Sequence, residues 1–130
     1  MRAVTLMDVH DLAVLDNELF EANLSGELLH LEIRAGFGWL IEDDEDLKSF
    51  ILVRDDGYIL DITRLGTRTA YQGQGLGTRL LTHVLRTRRP VMLTVDKANA
   101  VGLRMYLKHG FKIVGHLPTV EAWVLRRNAT

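Results

Sequence analysis

Hydrophobic residues recur in two different periods along the chain, and the change of period marks the predicted elements. Apolar positions spaced three and four residues apart predict amphipathic helices. We expect four helices, over residues 9–20, 26–34, 75–88 and about ten residues after Asn99. Asp8 and Ser25 stand where N-caps of the first two helices belong. Their connection, residues 21–25, is short and carries no chemical signature.

Short apolar or alternating runs between turn residues predict strands. These runs cover residues 2–6, 37–42, 48–54, 58–66, 91–95, 111–115 and 120–126. The acidic run 42–46 and the Asp55–Gly57 turn read as hairpin connections, which make neighbouring strands antiparallel. The helix over 75–88 is a crossover, which predicts one parallel pair. The order predicts an α/β fold with a mixed, mostly antiparallel central sheet of about 6–7 strands and about four flanking helices. Residues 1–130 are expected to form a single domain.

Composition narrows the class of protein. The chain is 47% hydrophobic and 25% charged, which is ordinary for a soluble globular protein. It has no cysteine, which excludes disulfides, thiolate metal sites and a cysteine nucleophile. The sequence shows neither a signal-peptide pattern nor an apolar run long enough to cross a bilayer. We therefore expect a cytoplasmic protein with no membrane partner, and the histidines show no metal-ligand spacing.

Charge is distributed unevenly between the two halves of the chain. Residues 1–63 hold 4 Lys/Arg and 15 Asp/Glu, whereas residues 64–130 hold 12 and 2. This asymmetry points to an anionic ligand in the C-terminal half, although attraction between the two halves would also explain it. Nucleic acid is not the expected ligand, because the basic half lacks an interleaved row of aromatic residues.

A glycine-rich stretch follows the strand 58–66 and opens the next helix. It contains Gly73, Gly75 and Gly77, which allow close approach of the backbone to a ligand. The free N–H groups of a helix start attract phosphate. A nucleoside triphosphatase loop would need a lysine after Gly77, where Thr78 stands instead. The glycine spacing and the mid-chain position also disfavour a dinucleotide fold. A simple tight turn is the remaining alternative.

Two motifs resemble those of the GNAT superfamily of acetyltransferases. Gln72, Gly75 and Gly77 occupy the fixed positions of its Gln/Arg-x-x-Gly-x-Gly/Ala motif, which binds acetyl-coenzyme A (acetyl-CoA). The pattern of its later helix, Asn…Leu-Tyr-x-x-x-Gly-Phe, is matched by Asn99, Leu103, Tyr106, Gly110 and Phe111. The order of the predicted elements also matches, so the resemblance covers nearly the whole chain and implies the GNAT fold.

The resemblance implies a role for each matched residue. The pyrophosphate of acetyl-CoA would be held by backbone amides of the loop, from Gln72, Gly73, Gln74, Gly75, Gly77 and Thr78. Backbone groups near Leu65 and Thr67 would meet the pantetheine arm and the acetyl carbonyl. Asn99 would contact pantetheine, and Tyr106 would protonate the leaving thiolate. Asn99 also reads as a plain helix N-cap, and Tyr106 as a core tyrosine.

The general base is the least defined part of the predicted site. Some members of the superfamily carry a glutamate on the strand before the loop, and Asp61 occupies a comparable position. Ribosomal-protein N-terminal acetyltransferases instead use a glutamate at the position of Thr94, which cannot take a proton. We predict Asp61 as the base, with Glu121 and His116 as weaker candidates. Asp61 also reads as a solvated carboxylate at a turn or strand end.

The sequence therefore predicts an N-acetyltransferase that moves acetyl from acetyl-CoA to a primary amine. Because no cysteine can hold an acetyl intermediate, direct attack in a ternary complex is expected. The acceptor is a small-molecule or peptide amine, and the protein is a monomer or homodimer. The alternative is a non-catalytic acyl-CoA-binding module that regulates a partner protein.

Overall fold

Alternating strands and helices build the molecule, which is represented by a computed structural model describing residues 1–20 and 25–130. Most of the predicted connection between the first two helices, residues 21–24, lies outside this range. The strands in the described range are β1 (Arg2–Ala3), β2 (Gly36–Glu42), β3 (Leu47–Asp55), β4 (Leu60–Thr67), β5 (Val91–Asp96), β6 (Lys112–Leu117) and β7 (Ala122–Arg127). The α-helices are α1 (Val9–Leu19), α2 (Gly26–Ala35), α3 (Leu76–Leu85) and α4 (Ala100–Lys108).

All seven strands join one open sheet in the order β1-β2-β3-β4-β5-β7-β6. Every neighbouring pair is antiparallel except β4 and β5, which run parallel and are linked through α3. The predicted α/β class, the mostly antiparallel sheet, the four helices and the single parallel pair are all confirmed.

Helices cover both faces of the sheet. On one face, α1 and α2 bury a cluster made of Leu12, Leu15, Leu29, Ile33, Leu40, Phe50 and Leu52. On the other face, α3 and α4 pack over a larger cluster that includes Leu80, Leu81, Val84, Leu93, Phe111 and Leu125. Burial of each such side chain contributes roughly 1.5–3 kcal/mol. The sheet is therefore held between two apolar layers. Where neighbouring strands of the sheet do not pair, a ligand can reach the backbone.

Some predicted boundaries are wrong, and Asp8 occupies the predicted N-cap position of α1 without the side-chain hydrogen bond of a cap. β1 is shorter than 2–6, because Thr5 opens a 3₁₀ turn over Leu6–Asp8. The carboxylate of Asp8 accepts from the Thr5 amide at 2.7 Å and pairs with Arg2. Asp8 therefore does not cap α1 through its side chain. Ser25, by contrast, accepts from the Leu28 amide as predicted.

The third helix is also shorter than expected. It ends at Leu85, and the chain turns through Arg88, whose φ of 60° is left-handed. No α-helix among residues 1–20 and 25–130 is long and apolar enough to span a membrane.

Candidate active site

β4 and β5 pair over only three residues and then separate. Their parallel register joins Leu60–Ile62 to Val91–Leu93. Beyond that point β4 continues along β3 as far as Thr67, while β5 continues along β7 as far as Asp96. The two strands therefore enclose a gap in the middle of the sheet, and the backbone edges facing the gap have no strand partner.

A β-bulge explains where the separation begins. Leu52 of β3 pairs with Arg64 and Val53 pairs with Ile62, so Thr63 is an extra residue on β4. A bulge bends its strand and increases the local twist. Because the parallel pairing ends at Ile62, the bulge lies at the point where β4 turns away from β5.

The gap opens into two cavities. The first, of about 590 Å³, lies beside the glycine-rich loop and α4, and we call it the loop cavity. The second, of about 410 Å³, lies between β4, β5 and the end of α1, and we call it the strand cavity. Three residues line both of them: Leu65, Asn99 and Tyr106. The two cavities therefore share one wall.

Most of the predicted site residues come together in the loop cavity. Its walls include Leu65, Thr67, Gln72, Gly73, Gly75, Gly77, Thr78, Asn99 and Tyr106. Gln74 and Asp61 do not line it. The described walls also include Val101, Gly102 and Met105 of α4, which the sequence did not single out.

The glycine-rich loop is shaped by two left-handed residues. Gly73 has a φ of 81° and Gly75 a φ of 79°, conformations that side-chain-bearing residues rarely adopt. A Cβ at either position would meet nothing within 4 Å, so the backbone there faces open space. Gly75 is also the N-cap of α3 and supplies no capping side chain. The first amides of α3 are therefore free to bind an anion.

Side chains fix the loop to the strand that precedes it. The Gln72 amide Nε2 donates to the Thr67 carbonyl at 3.1 Å. The Tyr71 hydroxyl donates to Asp46 at 2.6 Å, and the Lys48 ammonium lies 4.8 Å from the centre of the Tyr71 ring. The hydrogen bond to Asp46 raises the pKa of Tyr71. These contacts hold the loop in place before any ligand arrives.

Tyr106 stands on the wall common to the two cavities. Its ring is buried and packs edge-on against Phe111, with ring centres 5.7 Å apart. Burial raises the pKa of Tyr106 to about 12. The phenol is therefore protonated at neutral pH and carries a proton that it can donate.

Asn99 has a structural role and a position on the cavity wall at once. Its Oδ1 accepts from the Gly102 amide at 2.9 Å, which makes it the N-cap of α4. The same residue lines both cavities. The two interpretations of Asn99 in the sequence are therefore compatible.

The strand cavity has both apolar and polar walls, and two of its side chains among the described residues are charged. Its apolar walls include Leu19 and Phe20 at the end of α1. Arg64 lies 4.8 Å from the centre of the Phe20 ring, and its Nε pairs with the fully buried Asp16 at 3.0 Å. Asp96, at the end of β5, is the other charged residue.

Asp61 lies where β4 and β5 are still paired, opposite Met92, and lines neither cavity. Burial raises its pKa, and the nearby Arg54 opposes that change. Glu121 pairs with Lys97 at 3.7 Å and also lies outside both cavities. His116 packs against Trp123 rather than lining either cavity. The structure does not bring the predicted base together with Tyr106, and Asp61 as the base stays a prediction.

Besides the three residues of α4, sequence reasoning missed the bulge at Thr63 and the charge at Asp96. The bulge at Thr63 follows from the pairing of β3 with β4, which no local pattern records. Asp96 could have been found from the sequence, because it is the last residue of β5, the strand parallel to β4. Ligands of sheets with parallel strands bind beyond the carboxyl ends of those strands.

Comparisons with known proteins agree with this architecture. The model of the Acetyltransferase (GNAT) family matches residues 6–111, so the chain belongs to this family. No curated protein sequence matches the chain.

Solved structures share the fold at low sequence identity. Ard1 from Thermoplasma volcanium is 18% identical with a TM-score of 0.88, over 99% of this chain and 96% of that one. The ribosomal-protein-S18-alanine N-acetyltransferase from Escherichia coli is 14% identical with a TM-score of 0.87, over 99% and 92%. NAA60 from Arabidopsis thaliana, solved in complex with acetyl-CoA, is 17% identical with a TM-score of 0.83, over 98% and 97%.

Proposed function

We propose that this protein is an acetyl-CoA-dependent N-acetyltransferase that acts on a primary amine by direct attack in a ternary complex. The observation that carries the proposal is the wall of Leu65, Asn99 and Tyr106 shared by the two cavities. A donor in one cavity and an acceptor in the other would meet at this wall. Reactants held in such contact react without the entropic cost of a free encounter.

The loop cavity suits coenzyme A. The open backbone at Gly73 and Gly75, with the free amides of α3, forms a cradle for the pyrophosphate, because any side chain there would project into it. The backbone edge of β4 from Leu65 to Thr67 has no strand partner on the side of the gap. Its polar groups can hydrogen-bond the pantetheine arm. Acetyl-CoA supplies an activated acetyl thioester when it is bound.

The residues of this chain then position the reactants and supply a proton. Asn99 caps the start of α4 at the cavity wall, where it would contact the pantetheine arm. Tyr106 remains protonated because its pKa is about 12, so its hydroxyl would supply a proton to the departing sulfur of bound acetyl-CoA. Leu19 and Phe20 form an apolar part of the wall on the acceptor side.

The acceptor is a primary amine on a small molecule or a peptide. The strand cavity, at about 410 Å³, has room for an amine and the atoms next to it. Two structures of the same fold hold related ligands: NAA60 was solved with acetyl-CoA, and Arabidopsis thaliana Naa50 with the bisubstrate analogue CoA-Ac-MVNAL.

The proposal is tested by turnover. Purified protein is mixed with acetyl-CoA and, separately, benzylamine, spermidine and a short peptide with a free amino terminus, and released thiol is followed over time. We expect transfer to at least one of these acceptors, well above the hydrolysis of acetyl-CoA alone. Tight binding of acetyl-CoA without transfer to any amine would favour a non-catalytic acyl-CoA-binding module that regulates a partner.

A further inference from the structure

One of the two charged side chains of the strand cavity has no ion-pair partner among the described residues. Arg64 and Asp96 are its charged residues within the described range. Arg64 is neutralised by the buried Asp16, with Nε and Oδ1 3.0 Å apart. Asp96 forms no ion pair with any described residue. The carboxylate of Asp96 is therefore the charge that an acceptor in this cavity meets.

Local structure holds Asp96 at the cavity wall. It is the last residue of β5 and pairs with Ala122 of β7, which fixes its backbone. Its Oδ1 accepts from the Ala98 amide at 2.8 Å, which restricts the rotation of the carboxylate. One oxygen is thus held in place, and no described residue bonds the other.

The position of Asp96 also suits an ammonium group. Asp96 and Thr94 are exposed, whereas Val95 between them is buried, because alternate residues of a strand point to opposite faces. The strand cavity reaches from Asp96 to Asn99 and Tyr106 on the shared wall. The loop cavity, by contrast, has no charged side chain among its described walls.

We propose that Asp96 is the ammonium-binding residue of the acceptor cavity, and that the acceptors are primary ammonium compounds whose neighbouring atoms are uncharged. This inference rests on the proposed acetyl transfer and names its substrate class. The carboxylate receives the cationic amine and holds its nitrogen towards the wall that Tyr106 and Asn99 share. Apolar side chains, among them Phe20 and Leu65, cover the carbon atoms next to the nitrogen.

Proton and bond changes balance with this arrangement. In the whole reaction one N–C bond forms, the C–S bond of the thioester breaks, and the ammonium loses two protons. One proton passes to water from the ammonium held at Asp96. The other replaces the proton that Tyr106 gives to the sulfur. Asp96 therefore binds and orients the amine and is unchanged at the end.

The test measures binding and does not require turnover. Benzylammonium and benzyl alcohol have nearly the same shape and differ in charge. Each is titrated into ¹⁵N-labelled protein with and without saturating coenzyme A, and dissociation constants are fitted from chemical shifts. Wild-type protein is expected to prefer benzylammonium by about tenfold, the size expected for one charge-assisted hydrogen bond in a half-open site.

Variants locate the preference. Asp96→Asn keeps the Oδ1 acceptor for Ala98 but removes the charge, and should bind both probes equally. Asp96→Glu restores the charge and should restore part of the preference. Glu27→Gln removes an exposed carboxylate of α2 outside both cavities and should behave as the wild type. A structural defect at residue 96 would weaken the binding of both probes and leave the ratio of their dissociation constants unchanged.

Several outcomes would overturn the inference. One is a wild-type protein that binds benzylammonium and benzyl alcohol equally well. Another is an Asp96→Asn variant that still prefers benzylammonium. The third is a preference that is lost in Asp61→Asn but kept in Asp96→Asn. The same experiments distinguish failure of this inference from failure of the proposed acetyl transfer. A protein that prefers benzylammonium but does not bind acetyl-CoA would refute the acetyl transfer and leave the ammonium site in place.

Discussion

Asn99 and Gly102 fit each other at the start of α4. Oδ1 of Asn99 accepts from the Gly102 amide at 2.9 Å, and a Cβ on residue 102 would lie 2.5 Å from Nδ2 of Asn99. The side chain that caps the helix therefore occupies the space that any larger residue at 102 would need. Because Asn99 lines both cavities, this local fit also shapes the site.

Gly102→Ala should separate stability from ligand binding. The new methyl group displaces Asn99 and removes a cap worth about 1 kcal/mol, while alanine regains about 1 kcal/mol of helix propensity. We expect a free energy of unfolding nearly equal to that of the wild type, and acetyl-CoA binding weakened about tenfold. Denaturant unfolding measures the free energy of unfolding, and calorimetry measures the affinity for acetyl-CoA. Arg104→Ala, exposed on the same helix, is the control that should change neither.

Tyr106→Phe should lower the rate without changing the binding of acetyl-CoA. The ring and its packing on Phe111 are kept, and only the hydroxyl is lost. We expect a fall in kcat of about 100-fold, the usual contribution of a positioned general acid. Since burial raises the pKa of Tyr106 to about 12, wild-type activity should show no loss from its ionisation up to about pH 11. A variant with the wild-type rate would remove Tyr106 from the mechanism.

The ion pair between Asp55 and Arg89 should make stability depend on acid pH. Two hydrogen bonds, of 2.8 and 2.6 Å, join the guanidinium to the carboxylate. Arg89, with help from the Gly57 amide, lowers the pKa of Asp55 to about 2. In the unfolded chain this pKa is about 3.9, so the stabilisation is complete above about pH 4 and is lost as the pH falls towards 2.

Melting temperatures measured at several pH values test whether the stabilisation is lost as the pH falls. Asp55→Asn should melt below the wild type at pH 6, and the difference should shrink between pH 4 and pH 2. Asp44→Asn is the matched control, because Asp44 is exposed and makes no hydrogen bond or ion pair with a described residue. A difference that stays constant down to pH 2 would show that the ion pair does not supply the stabilisation.

Gly36→Ala should destabilise the fold strongly. A Cβ there would lie 1.8 Å from the carbonyl oxygen of Val53 on the neighbouring strand β3, and a strand backbone cannot move aside cheaply. We expect a loss of at least about 2–3 kcal/mol in the free energy of unfolding, as in other overpacked sites. Gly115→Ala on β6 is the control, since its nearest neighbour would be 4.0 Å away. Denaturant titration of both variants should show a loss for Gly36→Ala alone.

Local patterns predicted much of the fold and of the loop cavity. The leucine spacing of α1, the Ser25 cap and the glycines before α3 are short-range features, and each is where the sequence placed it. Gln72, Gly75, Asn99 and Tyr106 were matched by motif, and the structure brings them to one cavity.

Long-range features were not accessible in this way. The acid Asp8 was read as a helix cap, but its carboxylate is taken by Arg2 and by the Thr5 amide. The separation of β4 from β5 depends on the bulge at Thr63, which exists only once β3 and β4 have paired. Asp61 was chosen because it lies on the strand before the loop, at a position comparable to a glutamate of some superfamily members. The local pattern could not show which residues lie beyond the last paired position of β4 and β5, where both cavities open.

The most direct test of the account is calorimetric titration of acetyl-CoA into the wild type, Gly75→Glu and Gly57→Glu. Both glycines are left-handed, with φ of 79° and 89°, and a Cβ on either would meet nothing within 4 Å. Glutamate should therefore cost similar stability at each, but only Gly75 lies in the loop cavity. The account predicts binding to the wild type and Gly57→Glu, and none to Gly75→Glu. Wild-type protein that is folded but does not bind acetyl-CoA, or Gly75→Glu that binds as tightly as Gly57→Glu, would contradict it.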